Sequence, residues 1–254
     1  MNAHVLLLGV DGESTYIVYN RLALEFGPFP AIIEQPISRL TLLRIRRRKL
    51  GLLAVASQLA FLVGVRPFIN LQGKDRIARI KSENHLDASP ISAQYVSHVP
   101  SVNLPETIEL ITRFDPKIIV VNGTRIISRK VLGCTRATFI NTHAGITPKY
   151  RGAHGGYWAL YNNDPGRCGV TVHLVDPGID TGAIVDQALI KTTREDSFAT
   201  YPYLQVAAAL PILVNAVRSA LDGTLQSKPA TGESAVWYHP GLLQYLSGRL
   251  HGIR

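Results

Sequence analysis

Cysteine is scarce: Cys134 and Cys168 are the only two in 254 residues. Two thiols in a chain of this size exclude a disulfide framework, fit a reducing compartment and read as small buried hydrophobes. Neither they nor the histidines show metal-ligand spacing, so no metal is expected. No basic leader precedes the first apolar run, which stops at Asp11; the expectation is no secretory signal and a cytoplasmic location. Internal repeats and low-complexity tracts are also lacking. Acidic residues are few, with 18 Asp and Glu against 27 Lys and Arg for a net charge of +9. Charge alone would suit nucleic acid, nucleotide-linked substrates or anionic membranes.

What is present fits an α/β fold. HVLLLGV is an apolar run of buried-strand length, followed by a turn (Asp11, Gly12, Ser14) and a helical pattern from Tyr16 to Phe26. AIIEQ and KIIVVNG read as further strands, the second buried on both faces as in a parallel sheet. Leu104 to Phe114 reads as the helix before it, ended by Asp115-Pro116. TFINTH, GVTVHLVD and AIVDQALI follow as strands, and Phe198 to Leu221 as a long helix bent at Pro211. Alternating strands and helices predict a Rossmann-like, doubly wound, mostly parallel sheet with a C-terminal helical extension. The expected division is a catalytic domain over 1–190, with a helical insertion near 40–68, and an extension over 191–254.

The insertion is the oddest segment. RIRRRK (Arg44 to Lys49) precedes an uncharged run from Leu50 to Val65, about two residues short of the roughly 18 of a membrane span. It reads first as a buried or homodimer-interface helix, then as a peripheral membrane helix, then as a substrate-channel element.

The stretch FINTHAGITPKYRGAHGGYWALYNNDPGRCGVTVHLVDPGIDTGAIV carries the chemistry. On an extended strand residues i and i+2 share a side, so Asn141 and His143 project together and Thr142 points away. Asp180 sits in a Gly-flanked turn after a second apolar run. If it reaches the same place, the trio supplies an oxyanion donor, a protonatable ring and a carboxylate. That set suits acyl transfer to an amine without a nucleophilic side chain.

The run N-x-H-x-x-x-x-P-x-Y-R-G (Asn141 to Gly152), then G-V-T-V-H (Gly169 to His173) and D-P-G-I-D-T-G (Asp176 to Gly182), resembles the folate-dependent formyltransferase family. VVNGTRIIS (Val120 to Ser128) is similar to the family's pteridine-pocket segment, so the resemblance covers residues 115–190. It implies Asn141, His143 and Asp180 as catalytic residues and N10-formyltetrahydrofolate as formyl donor. Thr124, Arg125, Ile127, Leu132, His173, Asp176 and Ile179 match cofactor positions; Gly9, Gly12, Tyr150, Arg151 and Gly152 match substrate positions. The turn GVDGES departs from the glycinamide ribonucleotide members, since Asp11 would repel a phosphate there. The residues after Lys191 do not resemble the β-barrel of the methionyl-tRNA members. By elimination the expected acceptor is a nucleotide-linked amino sugar, with no nucleic acid partner. The alternatives are a glycinamide ribonucleotide formyltransferase, a formyltetrahydrofolate hydrolase and a non-catalytic folate- or nucleotide-binding protein.

Overall fold

The structure is a computed structural model that describes residues 4–253. Its strands are β1 (Val5–Val10), β2 (Ala31–Glu34), β3 (Val96–Val99), β4 (Ile118–Asn122), β5 (Thr138–His143), β6 (Arg151–Gly152), β7 (Gly169–Leu174), β8 (Ile184–Leu189) and β9 (Val236–Trp237). The helices are α1 (Glu13–Phe26), α2 (Arg39–Leu50), α3 (Leu52–Ala60), α4 (Arg66–Glu83), α5 (Pro105–Phe114), α6 (Arg129–Leu132), α7 (Gly155–Tyr161), α8 (Tyr201–Leu221) and α9 (Leu242–Leu250). Seven strands form one sheet in the order β3-β2-β1-β4-β5-β7-β8. The first five are parallel, and β7 and β8 close the sheet antiparallel. The expected mostly parallel α/β sheet is the observed one.

Strand alternation explains the two layers of helices. Val5, Leu7, Ile33, Ile118 and Val120 pack toward α1, α8 and Ile80 of α4. Their neighbours Leu6, Leu8, Ile32, Ile119 and Val121 turn to the other face, against Ile111 of α5 and Val131 of α6. Strands covered on both faces have no polar side to show, which is why they read as unbroken apolar runs. Leu210, Leu213, Val214 and Val217 anchor α8 in the first layer. Pro211 lies inside that helix at an exposed position and does not end it.

Between β2 and β3 the insertion runs to Glu83 through α2, α3, a π-helical turn (Phe61–Val65) and α4. Pro67 does not stop it, because it sits in the first turn of α4, where a missing N–H removes no intrahelical bond. Val55, Gln58, Phe61, Ile69 and Ile80 form its inner face. The ring of Phe61 meets Phe198 edge-on at 5.2 Å and Tyr245 of α9 at 4.9 Å. Arg76 of α4 pairs with the buried carboxylate of Asp196 at 3.0 Å.

Candidate active site

The site forms at the carboxyl end of β5, where β7 runs beside it. Antiparallel register sets Asn141 directly opposite His173, and the Asn141 Nδ2–H donates to His173 Nε2 at 3.0 Å. His173 Nδ1–H donates to the Leu174 carbonyl at 2.7 Å, which leaves Nε2 to accept from the Asn141 amide. The second N–H of the Asn141 amide remains for another acceptor.

His143, on the same strand side, donates Nε2–H to the Tyr150 carbonyl at 2.7 Å. Its Nδ1 lies 3.3 Å from Asp180 Oδ2. That carboxylate also accepts the Gly152 N–H at 2.9 Å and holds Oδ1 3.7 Å from His173 Nε2. Asp180 reaches this position from a left-handed turn residue, φ 51°, a conformation that Asp tolerates better than most side chains. Burial lowers the pKa of His143 and outweighs the opposing pull of Asp180 and the Tyr150 carbonyl. Burial would raise Asp180, but its contacts with His173, His143 and the Gly152 N–H hold it below the usual carboxylate range. The pair is therefore a neutral imidazole beside a carboxylate, and His143 Nδ1 is the atom placed to take a proton.

Gly145 permits this crowding. A Cβ there would run into the Tyr150 carbonyl and come within 2.7 Å of His143 Nε2. Gly152, at φ 91°, likewise lies against the Trp237 backbone, where a side chain would collide.

A cavity of about 280 Å³ opens over these groups. Asn141, His143 and Asp180 line it together with Thr124, Arg125, Ile127, His173, Asp176, Ile179 and Gly152. Thr142 borders it too rather than pointing wholly away, and its buried hydroxyl has no hydrogen-bond partner. Five expected residues stand outside the lining. Leu132 packs against the core beneath β4 and β5. Tyr150 is fully buried, its hydroxyl bonded to Asp164, and it serves the site through its carbonyl. Arg151 donates to the Ile179 carbonyl at 2.8 Å and so holds the turn that carries Asp180. Gly9 and Gly12 flank the start of α1, beside a different cavity of about 430 Å³ lined by Ser14, Ala144 and His154. Asp11 is engaged by the Tyr16 hydroxyl.

One organising residue escapes a reading of the sequence. Glu34 ends β2, is 2% exposed, and accepts the Val102 N–H at 3.0 Å and the Arg125 N–H at 2.6 Å. It also forms an ion pair with Arg125 Nε at 2.6 Å, although that N–H is not aimed at the oxygen. The only signal was a carboxylate within an otherwise apolar strand. Asn103 completes the support, donating to the Ile126 carbonyl at 2.9 Å and accepting the Ser128 N–H at 2.7 Å. A further cavity of about 250 Å³ meets the first at Gly152 and Ile179 and is lined by Arg46, Gln58, Trp237 and His239.

Comparison with known proteins gives the same direction. The chain is 34% identical over 124 residues to the methionyl-tRNA formyltransferase of Thermodesulfovibrio yellowstonii, a match taking in 49% of this chain and 39% of that one. It thus spans well under half of that relative's length. In fold it is similar to a sugar N-formyltransferase from Shewanella sp FDAARGOS_354, with a TM-score of 0.60 at 14% identity over 98% of this chain and 87% of the other. The N-formyltransferase from Helicobacter canadensis, in complex with folinic acid and dTDP-3-aminofucose, gives 0.54 at 15% over 92% and 70%. The profile of the Formyl transferase family matches residues 73–213. That span holds β4, β5, β7 and every side chain of the Asn141, His143, His173 and Asp180 cluster, and the chain belongs to this family.

Proposed function

We propose that the protein transfers a formyl group from N10-formyltetrahydrofolate to a primary amine of a small acceptor, with a nucleotide-linked amino sugar as the preferred class. The observation that carries this reading is the convergence of the Asn141 amide, the neutral His143 ring and the Asp180 carboxylate on one cavity. The cavity suits a flat ring system: its volume lies near the lower end for small-molecule sites, and Val121, Ile126, Ile127, Val175 and Ile179 give it apolar walls around the polar Thr124, Arg125 and Asp176. The folate of the Helicobacter complex and its amino-sugar ligand support both halves of the assignment.

Bound there, the folate supplies an activated formyl carbon. The amine nitrogen forms a new bond to that carbon, the carbon's bond to N10 breaks, and the amine loses one proton while N10 gains one. The free Asn141 N–H donates to the formyl oxygen as negative charge gathers on it. His143 Nδ1 accepts the amine's proton, and Asp180 steadies the resulting imidazolium. Tyr150 and Gly152 hold the ring and the carboxylate through their backbones. Arg46, partly buried and without an acidic partner among the described residues, offers a site for an acceptor phosphate in the adjoining cavity. On this reading residues 1–190 carry the reaction and 191–254 complete the layer over the sheet.

Single-turnover formyl transfer to a panel of nucleotide amino sugars tests the assignment. Asn141→Ala should lower kcat on the order of a hundredfold, as for other single oxyanion donors, while calorimetry shows 5-formyltetrahydrofolate affinity unchanged. Asp180→Asn should cripple turnover in a folded protein. Near-wild-type turnover in both variants overturns the site. Formate released without any acceptor would identify a hydrolase, and folate binding without turnover a sensor.

A further inference from the structure

The insertion leaves a surface that the catalytic reading does not use. From Gln35 to Lys74 the chain has no Asp or Glu and eight Lys and Arg, nearly the whole net charge of +9. Arg44, Arg47, Arg48 and Lys49 of α2 are exposed, and none is ion-paired among the described residues. Beside them exposed apolar side chains run along the outer side of α3, the π-helical turn and the start of α4. Leu52, Leu53, Val63, Phe68 and Leu71 are 60–89% exposed. Half of the large apolar side chains that the described residues expose lie between Leu40 and Leu71. Helix α9 packs alongside through the contact of Tyr245 with Phe61, and Gln58 donates to the His239 carbonyl in the segment that leads into it. Its own outer stripe, Leu243, Leu246 and Leu250, is exposed at i, i+3 and i+7, and no acidic residue follows Glu233.

We propose that this face docks on an anionic lipid surface, with the α3, α4 and α9 stripes entering the interface and the α2 cations over the headgroups. A helix apolar on both faces belongs either in a core or against lipid, and only 22% of the most apolar window of Leu52–Glu83 is buried. Length and composition would let that helix span a bilayer, but its packing does not. The inner face is held by Phe198 and Tyr245, Arg76 is tied to buried Asp196, and Lys74 and Asp75 interrupt the run. The helix therefore lies in the plane of the surface, the arrangement of a monotopic amphipathic segment. Charge selects lipid over a second copy of this chain. Two copies meeting here would face like charges, whereas each Lys or Arg near an anionic surface strengthens attachment about fivefold.

Sedimentation of the full chain with sucrose-loaded vesicles tests this. Binding is expected to phosphatidylcholine vesicles containing phosphatidylglycerol, at least about tenfold weaker without the anionic lipid, and weakened by salt. Leu53→Ser, Phe68→Ser and Leu71→Ser together should abolish it, and Arg44→Glu, Arg47→Glu and Arg48→Glu together should do the same. All six positions are solvent-facing, so thermal unfolding should not move. No sedimentation with the anionic vesicles overturns the proposal, as does binding that survives both sets. A light-scattering mass of two chains that falls to one in the serine variant also overturns it, in favour of a dimer interface.

Discussion

Glu34→Gln isolates the support of the cavity loop with almost no change of shape. In the wild type one oxygen accepts the Val102 N–H and the other the Arg125 N–H. The amide offers only one acceptor oxygen, so its NH2 must face one of those N–H groups and leave a buried donor without an acceptor. That loss costs about 1–3 kcal/mol. Removing the charge also ends the ion pair with Arg125, whose side chain is 26% exposed; solvent screening there reduces the value of a buried pair to about 1 kcal/mol. The Arg125 guanidinium keeps its bonds to the Gln35 and Pro100 carbonyls, so the loop loosens rather than unfolds. The expected destabilisation is about 2–4 kcal/mol in urea unfolding. Calorimetry should show 5-formyltetrahydrofolate affinity about tenfold weaker, the equivalent of 1.4 kcal/mol. A change below about 0.5 kcal/mol, the range of ordinary surface substitutions, would refute the assignment of Glu34 as the loop's anchor. Lost stability with unchanged folate affinity would instead remove this loop from the cofactor site.

Two predictions concern other buried groups. His154 and His239 touch at 2.8 Å; burial, mutual repulsion and the nearby Arg66 and Arg46 push His154 down to about 3, and burial with Arg46 and Arg66 pushes His239 down to about 4. Both are neutral at pH 7, so they cost nothing above the ordinary 6.5; below it the unfolded chain binds protons that the folded chain refuses. Stability should therefore fall from pH 6.5 to about 4, by on the order of 3 kcal/mol from His239 alone, and a urea series in which His239→Asn does not flatten this slope contradicts it. Burial raises the Cys168 thiol to about 12, and the side chain donates to the Gly156 carbonyl at 3.4 Å. A thiol reagent at pH 8 should modify Cys134 in the native protein and Cys168 only after unfolding; rapid modification of both would show that this part of the core opens.

The strands and the Asn141, His143 and Asp180 trio were legible because each follows from local rules: two-residue alternation along β5 and a Gly-flanked turn at Asp180. The position of β7 was not, and it is β7 that pairs Asn141 with His173. Glu34 was hidden by sequence distance, since its partner Arg125 lies 91 residues away. Tyr150 belongs to a matching motif, yet its contribution is a carbonyl, which sequence identity does not express. Pro67, near the end of the expected insertion, opens α4 as a first-turn residue.

The insertion leaves the sheet after β2 and returns at β3, and β3 is the strand at the far edge from β5 and β7. A connection at that edge can lengthen without shifting the pairing of any central strand, and each doubling of a flexible loop costs only about 0.6 kcal/mol of closure entropy. The β5 to β7 connection has no such freedom. A one-residue slip there would turn His173 away from Asn141, because side chains alternate faces along a strand. Evolution of this scaffold should thus be lopsided. Lineages can acquire, replace or delete the helices between Glu34 and Val96 as their surroundings change, while insertions between His143 and Gly169 survive only if they leave the pairing of Asn141 with His173 in register.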